Sequence, residues 1–373
     1  MRENSYKLPF YTKLTTLLLC LICIFGILYI GSGIITPVLL SLLFAVLLRP
    51  TVDFLSLKLR FPNAFASLIT VLVFILVVAG LLFFISWQIS GITNDWETIK
   101  INLLSHLGVL QEMIHLQFNL TVGEQNILIN DYANNLIQTG EKVASNLVMS
   151  VTDTLLNLTL IPIYTFLFLL YRLHFMMFLS KLFQPKNHEM VKKIVNEIKN
   201  SLHSYIVGLF IEMFAVATLT TIGFMIIGVK YALVLGIITG LLNLVPYIGI
   251  LFAGFLSVIA TLSTSSDFSQ IISVLIVVII VQLIDNNILI TFILSSKVKI
   301  NAFVSIIGIL LGGALSGIPG MFLAIPIIAV LKVIFDHVES LQPWGYLMGD
   351  DIPKEPVWKT TSENDPKLKN TNN

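Results

Sequence analysis

Two stretches of this chain are apolar for longer than a membrane is thick, and each is interrupted near its middle. Residues 231–262 and 303–334 run for 32 residues apiece. As straight helices they would be ~48 Å long, against a hydrocarbon core of about 30 Å. The first is interrupted by Leu242-Asn-Leu-Val-Pro246-Tyr-Ile-Gly249, the second by Gly312-Gly-Ala-Leu-Ser-Gly-Ile-Pro319-Gly320. Proline removes a backbone donor and glycine permits turns. In lipid, such broken backbone survives only where protein or a water-lined cavity satisfies its polar groups. A pair of Gly/Pro-interrupted segments is therefore a sequence pointer to a transport site. Two readings stay open here: re-entrant hairpins, or long kinked and tilted spans.

Six further runs, 14–31, 34–48, 64–90, 146–171, 205–228 and 270–290, are apolar enough and long enough, or nearly so, to cross a bilayer. Composition agrees: 56% of residues are hydrophobic and 12% charged, where a soluble domain carries roughly 25% charge. The expected fold is an all-α polytopic integral membrane protein with about eight hydrophobic segments. With two hairpins it has six full spans. Net charge is +1, which leaves no basic field for nucleic acid. The first run follows Arg2, Lys7 and Lys13 and is read as a retained span, since a second apolar run follows at once. Cys20 and Cys23 share one helix face within it and read as small apolar side chains, not as a redox pair.

Charge along the chain sets the expected orientation. Lysine and arginine concentrate before the first run, in Arg49, Lys58 and Arg60, and in 172–204 with Arg172, Lys181, Lys186, Lys192, Lys193 and Lys199. These segments are expected inside. Segment 92–145 holds Lys100 and Lys142 against Asp95, Glu97, Glu112, Glu124, Asp131 and Glu141, and is expected outside. Its Ile99, Leu103, Leu107, Leu110 and Ile114 recur at helical spacing, so amphipathic helices are expected there. Four parts follow: N-terminal membrane segments 1–91, an extracytoplasmic helical insertion 92–145, a membrane core 146–340 carrying a cytoplasmic helix at 174–204, and a disordered cytoplasmic tail 341–373, polar throughout from about 350. If 205–228 exits outward, a hairpin at 231–262 enters and leaves on the outer side. A hairpin at 303–334 then enters and leaves inside, and both termini are cytoplasmic.

Ionisable residues inside spans are costly and are functional candidates by default. Glu212 lies deep in 205–228, and a carboxyl in such a dry site can carry a proton. Asp285 stands beside Asn286 and Asn287, which together offer oxygens to a cation and hydrogen bonds to a polar solute. These four are the candidate ion-coupling residues. Asn243, Pro246, Tyr247 and Gly249 in the first interruption, and Ser316, Gly317 and Pro319 in the second, are the candidate substrate-binding residues. Asp153 reads as interfacial, and His203 lies just before a span. Each has a plainer structural reading, as a neutral hydrogen-bonded acid or a helix cap. The chain has no His-Glu-x-x-His, Gly-x-Ser-x-Gly, Walker or dinucleotide-binding motif, so no enzyme, metal or cofactor is called for.

Five stretches carry a family resemblance: Pro37–Pro50, Gly228–Gly236, Leu242–Gly249, Val281–Leu289 and Gly312–Pro326. In that order they resemble the autoinducer-2 exporter (AI-2E) family of bacterial permeases, over nearly the whole chain to about residue 340. The chain departs from the family's pattern at Asp285, where glutamate is usual, and at Thr291 and Lys230, where proline is frequent. The resemblance implies a multi-pass protein of the bacterial inner membrane that assembles as a homo-oligomer. It implies transport of either a small polar solute resembling autoinducer-2, or of sodium against protons. The expected partners are lipid, that solute or a monovalent cation, and further copies of the chain. The main reading is secondary export by alternating access. The alternatives are a sodium/proton antiporter of the same fold and a membrane scaffold acting through 92–145.

Overall fold

The computed structural model describes residues 9–94, 97–102, 104–105, 108, 159–245, 248–262, 267–289 and 299–351. Among them every regular element is a helix. In chain order these are α1 (Phe10–Ile30), α2 (Ser32–Leu57), α3 (Asn63–Asn94), α4 (Leu160–Leu170), α5 (Arg172–Leu182), α6 (His188–Ile226), α7 (Ala232–Leu242), α8 (Ile248–Leu262), α9 (Phe268–Ile284), α10 (Ala302–His337) and α11 (Gln342–Met348). By length and composition six described helices are long and apolar enough to cross a membrane, α10 being counted there across its internal break. α4 is the described end of the run expected at 146–171. The rest of that run, Asp153 included, lies outside the described residues, as does nearly all of the insertion. Within the insertion, Ile99 is buried.

Both interrupted segments fold back on themselves. In α10, helical geometry fails at Ser316 and Gly317. Gly317 has φ +62° and ψ −144°, a conformation essentially closed to side-chain-bearing residues. On either side of this break Gly312 abuts Gly320, and Gly308 abuts Ile328. Along a straight helix positions 308 and 328 would lie ~30 Å apart, so the contact requires an antiparallel hairpin. Pro319 falls in the first turn of the returning arm, where its missing N–H has no helical partner to lose. α7 and α8 form the other hairpin. Ala232, Val234 and Leu235 of one arm and Ala260 of the other share an apolar cluster with Phe224 and Val274.

The hairpins open toward opposite ends of α6. The first opens at its C-terminal end, where Gln270 Nε2 donates to Ile227 O at 3.2 Å. The second opens beside its N-terminal part, where His337 Nε2 lies 3.3 Å from Glu197 Oε2. Both reach one apolar cluster around Leu40, Leu43, Ile206 and Leu209: Leu244 from the first tip, Leu323 from the second hairpin. Two opposed hairpins, and not two long kinked helices, are thus the arrangement the structure adopts.

Two boundaries move. The helix expected at 174–204 is split between α5 and α6, because Phe183 and Gln184 are extended ahead of Pro185. Its second part then runs on unbroken into the span: α6 has 39 residues, and neither Gly nor Pro occurs between His188 and Val207 to stop it. Of the tail expected to be disordered from 341, residues Gln342–Met348 form α11, and those after 351 lie outside the described residues. Asn301 donates from Nδ2 to Leu347 O at 2.7 Å and Gly349 O at 3.0 Å, tying α11 to the start of α10.

Gly320→Val should wedge the two arms of α10 apart, since Gly320 is buried against Gly312. Overpacking of this kind costs about 1–3 kcal/mol. The expected result is a lower thermal midpoint of the detergent-purified protein, followed by circular dichroism. An unchanged midpoint would refute the fold-back.

Candidate functional site

Three polar side chains from three elements meet where the first hairpin turns. Glu212 projects from α6, Asn243 ends α7, and Asp285 follows α9. They are 5%, 9% and 2% exposed. Asn243 Nδ2 lies 3.2 Å from Glu212 Oε1 and 3.1 Å from Asp285 Oδ2, donating to both carboxyls. Glu212 Oε2 and Asp285 Oδ1 are buried without a hydrogen-bond partner.

The local sequence builds this meeting point. Pro246 has no N–H to give to the Leu242 carbonyl four residues back, so α7 cannot continue. Asn243 N–H still donates to Thr239 O at 2.9 Å, which holds the amide at the helix end. Gly240 abuts the Met213 carbonyl, letting α7 run close against α6 beside Glu212. On the third side, Asp285–Leu289 is a π-helical turn. Such widened turns break the helical register and recur at functional sites. Here Asp285 points inward.

The other candidates distribute as follows. Asn286 and Asn287 are exposed on the far side of the π turn. Asn286 Oδ1 accepts from Gln282 Nε2 at 2.9 Å, and Asn287 Nδ2 donates to Leu283 O at 2.8 Å. They do not join the carboxyls. Pro246 and Tyr247 lie outside the described residues. Gly249 opens α8 and packs against the Leu242 carbonyl, closing the hairpin base of the site. Ser316 is elsewhere: its Oγ accepts from Thr36 Oγ1 at 2.8 Å. Gly317 and Pro319 stay exposed next to it. His203 is half-buried in α6 with Nδ1 unpartnered, and does not bond the cluster. Among the described residues no three His, Cys, Asp or Glu side chains gather to hold a metal. Cys20 and Cys23 are free and exposed on α1.

Sequence reasoning thus placed Asn243 with the solute and the carboxyls with the ion, whereas the structure puts all three together. It missed Thr36. Nothing near Thr36 marks it, because its partner is 280 residues away. A separate cavity of about 340 Å³ lies between α2, α3 and α4, lined by Phe44, Phe74, Ile75, Val78 and Pro162. This apolar lining suits no polar solute.

Carboxyls buried at the turn of a helix broken inside the membrane place the molecule among polytopic membrane permeases. The family is narrower than that class. Residues 18–340 match the profile of the AI-2E family transporters, and the chain belongs to that family. It is 27% identical over 323 residues to YueF of Bacillus subtilis, named as a candidate transport protein; the match covers 83% of this chain and 85% of the relative. With PerM of Escherichia coli K12, named as a candidate permease, it shares 26% over 333 residues, covering 85% and 91%. A shorter match to YrrI of Bacillus subtilis, also named for transport, is 32% identical over 143 residues and spans 40% of that protein.

Two variants test this geometry. Thr36→Cys with Ser316→Cys, in a chain also carrying Cys20→Ser and Cys23→Ser, should form a disulfide under mild oxidant, seen as an intramolecular mobility shift. Failure to cross-link would remove the second tip from α2. Asn243→Leu leaves both carboxyls without their donor and should destabilise the protein by about 1–3 kcal/mol, read as a lowered thermal midpoint.

Proposed function

We propose that this AI-2E family transporter is a secondary exporter of a small polar solute, and that the Glu212–Asn243–Asp285 cluster couples export to a proton or a monovalent cation. One observation carries the reading: an amide at the turn of a broken hairpin bonds two buried carboxyls on two different helices. Two bare carboxylates sharing one amide in a dry site leave charge uncompensated, so the cluster calls for a proton or a cation. Whatever occupies it changes the bond that holds the hairpin tip. Occupancy and hairpin position are then linked, which is the requirement for alternating access. A solute resembling autoinducer-2 would sit where the hairpin tip opens. The relatives are named for transport and permeation, not for catalysis.

Sodium/proton exchange by the same cluster is the second reading. Glu212 Oε2 and Asp285 Oδ1 are two oxygens without partners. A half-turn of the Asn243 amide would add its Oδ1 as a third. Oxygens so placed serve a hard cation in competition with protons.

The test is proton flux in proteoliposomes holding a pH-sensitive dye, under an imposed sodium gradient, for the wild-type chain, Glu212→Gln and Asp285→Asn. For sodium/proton exchange, the wild-type chain moves protons and each variant falls to the level of protein-free vesicles. If the wild-type chain moves none, exchange is excluded and solute export stands. Sodium-driven flux that persists in both variants would remove the carboxyls from the ion path and sink the cluster's role.

A further inference from the structure

We propose that α5 and the turn after it form a binding surface for anionic phospholipid, with the helix lying along the membrane interface. The first observation is direction. α4 ends at Leu170, and α5 departs from it at 66°, so a chain that runs as a span through α4 is turned toward the membrane plane. The turn is pinned at its start. Arg172 Nη1 donates to Asp53 Oδ1 at 2.6 Å, and the Phe175 ring packs on Phe168 with centroids 5.5 Å apart. The far end is held as well, where His188 Nε2 lies 3.0 Å from Phe183 O.

The second observation is what α5 does not touch. None of its residues is buried. Leu173, Met177, Phe178 and Leu182 are each more than half exposed. His174 and Lys181, seven apart, share one side of α5 with Phe178, and Met176 and Leu179 fall on the opposite side. Surface this apolar, in a helix lying across the end of a span, suits the boundary between headgroups and acyl chains.

The third observation selects the lipid. Residues 172–193 carry five basic side chains, Arg172, Lys181, Lys186, Lys192 and Lys193, against the single acid Glu189. Arg172 is taken by Asp53. The four lysines are exposed and carry no ion pair among the described residues. Unpaired lysines flanking an interfacial helix complement anionic headgroups. The same lysines argue against a second copy of the chain as the occupant, because lysine is depleted in protein interfaces.

The test uses the full chain and needs no transport assay. Retained lipid is measured by native mass spectrometry after exchange into mixed phosphatidylcholine and phosphatidylglycerol. The wild-type chain should prefer phosphatidylglycerol by roughly tenfold or more. The quadruple variant Lys181→Gln, Lys186→Gln, Lys192→Gln and Lys193→Gln should lose that preference, and the corresponding Lys→Arg variant should keep it. A second reading places a fluorophore at Phe178→Cys, with Cys20→Ser and Cys23→Ser, in vesicles carrying a quencher near the lipid headgroups. Quenching is expected. Equal lipid retention by the wild-type and Gln chains overturns the proposal. So does a fluorophore shielded from the lipid quencher and self-quenched by neighbouring copies, which would make α5 a contact between subunits.

Discussion

Everything in this protein depends on one constraint: within lipid, each backbone N–H and C=O must find its partner inside the protein. A continuous helix meets it automatically. A broken one meets it only against neighbours that supply contacts and bonds. Both breaks here are sheltered in that way. The first tip lies against α6 and the end of α9, and at the second the Ser316 hydroxyl accepts from Thr36 of α2. The helices that frame these tips carry long unbroken apolar runs, and α6 is the longest of them. A rigid frame with two discontinuous elements inserted from opposite ends separates the parts that hold shape from the parts that can change it.

The acid–amide–acid cluster follows from the same logic. Breaking α7 at Asn243 frees an amide at a depth where free polar groups are costly, and the two carboxyls accept its protons. The carboxyls in turn are tolerable at that depth because the amide is there. Each is only half satisfied, however, since one oxygen of each has no partner. A fully satisfied cluster would be a structural plug. In the proposed function these two oxygens are where a proton or small cation would bind, and the amide bond to the hairpin would link that event to the tip.

The basic region around α5 shows a different use of charge. Lysines that would be ordinary solvated residues on a soluble helix lie here beside exposed phenylalanine, leucine and methionine. That pairing is what an interfacial helix presents to lipid. The bend at Tyr171 is set by Asp53, a residue of α2, so the orientation of α5 is fixed by the membrane core and not by its own sequence alone.

Much of this was legible in the residue string. Apolar run lengths fixed the helical membrane class, because only helices or closed barrels satisfy the backbone in lipid and the period here is not that of strands. Gly317, Pro319 and Pro246 marked the two breaks, because glycine and proline act on their own backbone wherever they stand. Glu212 and Asp285 announced themselves as carboxyls in apolar runs. Tertiary structure decided the rest. It chose hairpins over kinked spans through the contact of Gly308 with Ile328. It bonded Asn243 to both carboxyls, turned Asn286 and Asn287 away through a π turn, and paired Thr36 with Ser316. Local signals report what a residue does to its own segment, whereas these outcomes depend on which distant segments pack together, and that is set by the summed contacts of the whole bundle.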